Sequence, residues 1–234
     1  MRIIVITSGT GAKAVGSPRP LVVEDFRRGP PHVAARLLEH PEHSVPAEDL
    51  YAGDQHRRLM SGVKAFRGRW PDASPHSLEL YILSPGYGLV RSDQRIAPYD
   101  ASFQGMNAKE LREWADHIAV PHAVRQALRP PFDLAFLLLG HAYLAACDLD
   151  AQVQLGGCTY AFGGGRAAAD LPAIPNLRPV QLGQQEAAEF HCPLFCLKGE
   201  IVGGWLARLS IDPGLANALV AGTVDAVNGW KQAS

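Results

Sequence analysis

Four short segments carry residues whose types and spacing could do chemistry together. They are Thr7-Ser8-Gly9-Thr10-Gly11-Ala12-Lys13, Ser84-Pro85-Gly86-Tyr87-Gly88-Leu89-Val90, Gly140-His141-Ala142-Tyr143 and Gly163-Gly164-Gly165-Arg166. In the first, small residues bare their backbone N–H groups and Lys13 adds a positive charge, the ingredients of a phosphate cradle around Ser8 and Gly9. The Gly-Lys-Ser/Thr order of a nucleoside-triphosphate loop is absent. A tight strand-to-helix turn with an exposed lysine accounts for the same residues equally well. In the fourth segment, Gly164 and Arg166 suit a phosphate or a carboxylate. Glycines needed for close helix–sheet packing explain that stretch somewhat better.

The second segment is the richest. Ser84, Tyr87 and Gly88 are followed by Asp93 and then by Ile96-Ala97-Pro98-Tyr99-Asp100. Two acids and two tyrosines thus fall within a short run stiffened by Gly and Pro. A carboxylate in such a place can activate water or stabilise a cation, and a tyrosine ring can stack on a planar ligand. A turn closed by Asp93 and a segment braced by Asp100 is the plainer account of each acid taken alone. His141 stands where it reaches the same edge, either lining a pocket or serving as a hydrogen-bonded packing residue.

These segments share one origin, because each follows an apolar run that reads as a strand. The runs cover residues 3–7, 78–83, 133–139, 159–162 and 177–182, so a central, mostly parallel sheet of four or five strands is expected. Helical patterns alternate with them, which predicts an α/β sandwich of three layers. In an open sheet of this kind ligands bind outside the carboxyl ends of the strands. Helices are expected over 54–69, after an Asn107 cap with Glu110 three residues on, and from Asp212-Pro213 through Leu215, Leu219, Val224 and Val227. Residues 14–46, rich in Pro, His and Arg, read as an irregular, partly helical excursion within a single domain spanning 1–234. The stretch 190–198 reads as a rim.

Composition narrows the partners. The chain has 234 residues, 47% hydrophobic and 19% charged, with a formal net charge of -1. That balance argues against coating nucleic acid or membrane by bulk charge, but leaves room for a local groove. Arg57, Arg58, Lys64, Arg67 and Arg69 form a basic helix face of the sort that is usually just solvated. No window approaches a transmembrane length, and the start reads as a strand with no secretory pattern, so a cytoplasmic protein is expected. Cys147, Cys158, Cys192 and Cys196 are scattered, and His191, Cys192 and Cys196 match no familiar zinc spacing. No resident metal and no cofactor are expected.

Ser8 and Lys13 behind the first strand, then Ala47-Glu48-Asp49-Leu50-Tyr51-Ala52-Gly53, Leu83 to Val90 and Ile96 to Asp100, occur in an order that resembles the YaaA-like peroxide-stress proteins and their short relatives. The resemblance runs through Gly140-His141-Ala142-Tyr143. The chain departs from the pattern at Pro85-Gly86, where Ala-Lys is usual, at Gly9, where a cysteine is common, and at Ala12, where many relatives have a second lysine. What the resemblance implies is DNA binding, oxidative stress and, for the short relatives, a uracil-DNA-glycosylase-like architecture.

The site residues suit N-glycosidic chemistry on DNA, which needs phosphate-holding loops, an aromatic ring for a flipped base and a carboxylate. On this reading Asp100 or Asp93 is the acid, and Tyr87 or Tyr99 stacks the base. His141 contacts base or backbone, and Ser8, Lys13 and Arg166 hold phosphates. The expected function is excision of a modified or damaged base, in repair or in defence against foreign DNA. A non-catalytic DNA-binding stress protein and a nucleoside or nucleotide N-glycosidase are the alternatives.

Overall fold

Ile3 and Val5 point to one side of the first apolar run and Ile4 and Ile6 to the other, and all four are fully buried. A strand covered on both faces has to lie inside a layered fold. In the computed structural model, which describes residues 1–234 apart from 73, 166, 167, 169, 233 and 234, this strand is β1 (Arg2–Ser8). It is followed by β2 (Leu21–Val22), α1 (Val23–Arg27), α2 (Pro30–Glu39), β3 (Val45–Pro46), α3 (Ala47–Leu50) and α4 (Asp54–Arg69). Next come β4 (Ser77–Ser84), β5 (Gly88–Arg91), β6 (Arg95–Ile96), β7 (Tyr99–Asp100), α5 (Ala108–His117) and α6 (Val120–Leu128). The remainder holds β8 (Leu134–Leu138), α7 (His141–Ala146), β9 (Cys158–Gly164), β10 (Leu177–Leu182), α8 (Gln184–Glu189), α9 (Leu194–Ile211), α10 (Leu215–Ala221) and α11 (Gly229–Gln232).

The central sheet has six strands in the order β10-β9-β8-β1-β4-β5. All neighbours run parallel except β5, which returns antiparallel along β4. The five expected strands are present, and β5 is the sixth. Its four residues follow a Gly/Pro turn and read as loop in the sequence. Helices cover both faces, giving three layers. On one face Phe26, Leu111, Trp114, Val120 and Val124 pack against Ile4 and Ile6. On the other, Leu59, Val63 and Phe66 of α4 and Leu197, Ile201 and Trp205 of α9 pack against Ile3 and Val5. Burying each such side chain is worth roughly 1.5–3 kcal/mol.

Asn107 caps α5 as expected, accepting from the amides of Lys109 and Glu110 at 3.0 and 3.1 Å while Glu110 accepts from the Asn107 amide at 2.9 Å. The stretch 190–198, read as a rim, contains the start of the long buried helix α9 at Leu194. The expected C-terminal helix needs correction. Asp212 is the C-cap of α9 and does not open the next helix; α10 ends at Gly222 in the left-handed conformation, φ 70°, so Val224 and Val227 lie beyond it.

Two features position the site. The helices α4 and α9 touch backbone to backbone, because Gly62, Gly199 and Gly203 lack side chains there; a Cβ on Gly199 would stand 2.1 Å from the Gln55 carbonyl oxygen, and one on Gly62 2.1 Å from that of Gly203. The excursion 14–46 clamps the segment carrying Tyr99 and Asp100. Leu21 pairs with Tyr99 in a parallel ladder, and Val45 pairs with Ile96 in an antiparallel one. Asp25, held by the Val22 amide, His32 and Arg36 at 2.9 Å each, secures the excursion, and these partners keep its carboxyl below its ordinary range against the opposing cost of burial.

Candidate functional site

The chain leaves β1 for β4 on one side and later returns to β8 on the other. The loops after these strands therefore splay apart at a switch point, where open sheets make ligand crevices. A cavity of about 830 Å³ opens there. Its walls are Ser8 to Lys13 after β1, Pro85 after β4, Gly140 to Tyr143 after β8, and Gly53 to Gln55 at the start of α4. Tyr99 to Ser102, Gln104, and Phe195 and Lys198 of α9 complete the lining.

The first loop is held from both ends. The Gly9 amide extends the β1–β4 ladder by donating to the Leu83 carbonyl at 2.8 Å, and the Gly9 carbonyl accepts from the Tyr143 hydroxyl at 2.9 Å. A Cβ on Gly9 would meet the Tyr51 ring at 2.9 Å, which explains the glycine. The loop's far end is laced to Tyr51, with Ala14 N–H to the Leu50 carbonyl at 2.8 Å and Ala52 N–H to the Ala12 carbonyl at 3.0 Å. Between these anchors the amides of Thr10, Gly11 and Ala12 have no partner among the described residues. Unengaged N–H groups beside a lysine are donors that an anion can take up.

Lys13 is half-buried and donates to the Thr10 carbonyl at 2.9 Å. Its ammonium lies 4.5 Å from the centre of the Tyr99 ring and 5.3 Å from that of Tyr51. Burial lowers its pKa, and the charge of Asp100 opposes that. The Asp100 side chain is exposed to the cavity and has no hydrogen bond or ion pair among the described residues. Gln55 is buried and its amide group reaches Thr7 Oγ1 at 3.2 Å, Ser8 Oγ at 3.3 Å and the Leu138 carbonyl at 3.2 Å, stitching the ends of β1 and β8. Lys198 is 9% exposed, and burial alone pushes its ammonium down to about 8.

The cavity thus brings together Ser8, Gly9, Lys13, Tyr99, Asp100 and His141, the last as the exposed first residue of α7. Other expected residues lie elsewhere. Asp93 follows β5, which runs back toward the amino end of the sheet; it pairs with Arg91 at 3.1 Å and is not in the cavity wall. The antiparallel return of β5 is the reason, and it leaves Asp100 as the acid of the two at the site. Ser84 is fully buried below the cavity, with its hydroxyl accepting from the Gly86 and Tyr87 amides at 3.2 and 3.1 Å. Tyr87 is a packing residue: its hydroxyl accepts from the Ala97 amide at 3.0 Å, and its ring meets Phe26 and Tyr99 edge-on. Gly88, φ 72°, is fixed by the Ile118 carbonyl, which a Cβ would approach to 2.5 Å. Gly164 ends β9 opposite Leu182, outside the cavity wall, and Arg166 lies outside the described residues.

Gln55 and Lys198 line the cavity and Tyr51 packs beneath Lys13. Tyr51 lies in the segment 47–53 that carries the family resemblance, whereas Gln55 and Lys198 belong to no local motif, Lys198 standing with Glu200 near the start of a largely apolar helix. The four cysteines are free and buried. Among the described residues, His40, Glu42 and His43 place ligand atoms within 4.8 Å of one another, on the excursion and outside the cavity wall. No described helix is long and apolar enough to cross a membrane.

The family model described as "Family of unknown function (DUF6884)" matches residues 37–159, just over half of the chain. The match takes in Gln55, Tyr99, Asp100 and His141, while Lys13 and Lys198 fall outside it. No curated protein matches the chain.

Proposed function

The chain belongs to DUF6884, a family of unknown function, and we propose that it acts on DNA as an N-glycosylase, releasing a modified or damaged base. The observation that carries this reading is the Asp100 carboxylate, unpartnered among the described residues, which shares an 830 Å³ cavity with Lys13 and with first-loop amides that have no partner among those residues either. That volume falls within the range of roughly 300–1,000 Å³ usual for small-ligand sites, so it suits a single flipped nucleotide. The likeness to the YaaA-like proteins, and with it a uracil-DNA-glycosylase-like arrangement of the sheet, is part of the same reading.

In this reading the Thr10, Gly11 and Ala12 amides and Lys13 hold the phosphates flanking the flipped nucleotide. Asp100 orients a water and takes its proton as the oxygen bonds to C1′ of the sugar. Its negative charge also stabilises the oxocarbenium character that develops there. The C1′–N bond breaks, and the base leaves with the bonding pair and takes up a proton, for which His141 is the donor placed at the cavity. Ser8 and Gln55 fix the floor. The Tyr99 ring, with Lys13 over it, serves to seat the lysine more than to stack the base.

The net charge of -1 fits a confined groove better than an extended basic surface. It also favours a second reading, hydrolysis of a free nucleoside or nucleotide, which predicts turnover without a polynucleotide.

The test is base release from single-stranded and duplex DNAs carrying uracil, oxidised, alkylated, hydroxymethylated or glucosylated bases, with alkali to reveal abasic sites. Release from one substrate, reduced at least a hundredfold by Asp100→Asn with DNA affinity intact, is expected. Salt-dependent binding with no release from any substrate would replace this reading with a non-catalytic DNA-binding stress protein.

A further inference from the structure

Lys198 is a cation in an unusual position. It lies one helical turn after Phe195 at the start of α9, and both side chains line the cavity. The glycine contact between α9 and α4 holds it there: Gly199, its neighbour, rests on the Gln55 backbone. Among the described residues Lys198 has no ion pair and no hydrogen bond, although it is 9% exposed. Lys13 contrasts with it, since that ammonium donates to carbonyl oxygens, sits over two rings and feels Asp100. An ammonium meant only to hold phosphate gains from staying charged and hydrated. One desolvated without an acid partner sheds its proton more readily and becomes a nucleophile.

We propose that Lys198 is an imine-forming amine that captures the aldehyde of the abasic deoxyribose, so that the protein cuts the strand as well as removing the base. This rests on the excision reading above, because excision supplies the aldehyde. The uncharged Nζ adds to C1′ of the ring-opened sugar, and water leaves to give a protonated imine. A base takes a proton from C2′, a role assigned to Asp100, the carboxylate that lines the same cavity. The electron pair released forms the C2′–C3′ double bond and expels the 3′ phosphate. Water then hydrolyses the imine, freeing the unsaturated aldehyde and regenerating the amine. The lowered pKa of Lys198, about 8, supplies a useful fraction of free amine near neutral pH.

The experiment uses a duplex with a preformed abasic site, incubated with the full chain and sodium borohydride. A covalent protein–DNA adduct mapping to Lys198 by peptide mass spectrometry is expected, with strand cleavage in the absence of alkali and of borohydride. Adduct yield falls at least tenfold in Lys198→Met and in Lys198→Arg, and is unchanged in the surface variant Lys64→Ala. Far-ultraviolet circular dichroism checks that both Lys198 variants fold, and the arginine variant separates amine chemistry from phosphate holding. No adduct with the wild-type chain, or an adduct that persists in both variants, overturns the proposal. Base release in the substrate panel without an adduct overturns it too, while leaving excision in place. Because the abasic duplex carries no base to remove, failure of the excision reading shows in the panel alone.

Discussion

The hydroxyls of Tyr51 and Tyr99 meet at 2.9 Å in the buried wall beneath Lys13. Tyr51 follows the excursion in sequence, whereas Tyr99 is held by its pairing with Leu21 of the excursion, and burial raises both phenol pKa values. The pair therefore stays uncharged and offers two neutral ring faces to the ammonium above it.

Removing one hydroxyl leaves the other short of a partner in a buried setting, which typically costs 1–3 kcal/mol. Tyr51→Phe and Tyr99→Phe are each expected to lower unfolding stability by about 1–2 kcal/mol. The double variant should lose less than the sum, by about 1 kcal/mol, since the second deletion removes the orphaned group. Urea unfolding of the four proteins checks this. Strict additivity would mean that the two hydroxyls satisfy each other in geometry only.

The strands β1 and β8 and the helix over 54–69 were legible because their apolar runs bury both faces or one clear stripe. The Asn107–Glu110 cap was legible because its two reciprocal bonds depend on a three-residue spacing alone. What escaped was whatever depends on a non-local return. Asp93 and Asp100 are close in sequence, yet β5 carries the first away from the cavity edge and β7 brings the second back to it. Helix α9 escaped for the opposite reason: Ile201, Val202, Trp205 and Leu206 are all fully buried, so no polar face gives it a period. Lys198 and Gln55 then become neighbours at the cavity only through the glycine contact between helices distant in sequence.

That contact makes a paired prediction. In Gly199→Ala the new Cβ would meet the Gln55 carbonyl oxygen at 2.1 Å, so α9 has to shift, at a cost of about 1–3 kcal/mol. Gly68 is also in α4, but a Cβ there meets nothing within 4 Å. Gly68→Ala is expected to stabilise by about 0.5 kcal/mol, through helix propensity. Midpoints of urea unfolding should move in opposite directions. If Gly199→Ala also proves neutral, the close crossing is not what seats α9.

Lys198 makes the last prediction, and its sign follows from proton binding. Unfolded, the amine keeps its ordinary pKa of 10.5, while in the folded chain burial lowers it to about 8. Between those values the unfolded chain holds the extra proton, so stability rises with pH there; below about 8 the folded chain bears the full cost of a buried ammonium. The gap corresponds to roughly 3 kcal/mol at most. Lys198→Met, similar in length and without charge, is therefore expected to be more stable than the wild type at pH 7 by up to about 3 kcal/mol. Its advantage should shrink through pH 8–10 and vanish near 10.5. Urea unfolding of both proteins at pH 7 and near pH 10.5 measures this, because titrations common to both cancel in the difference. An advantage that is absent at pH 7, or constant with pH, would show that Lys198 reaches solvent freely. A gain with the expected pH dependence would mean that the chain holds a cation in its cavity against its own stability, the mark of a group placed for chemistry.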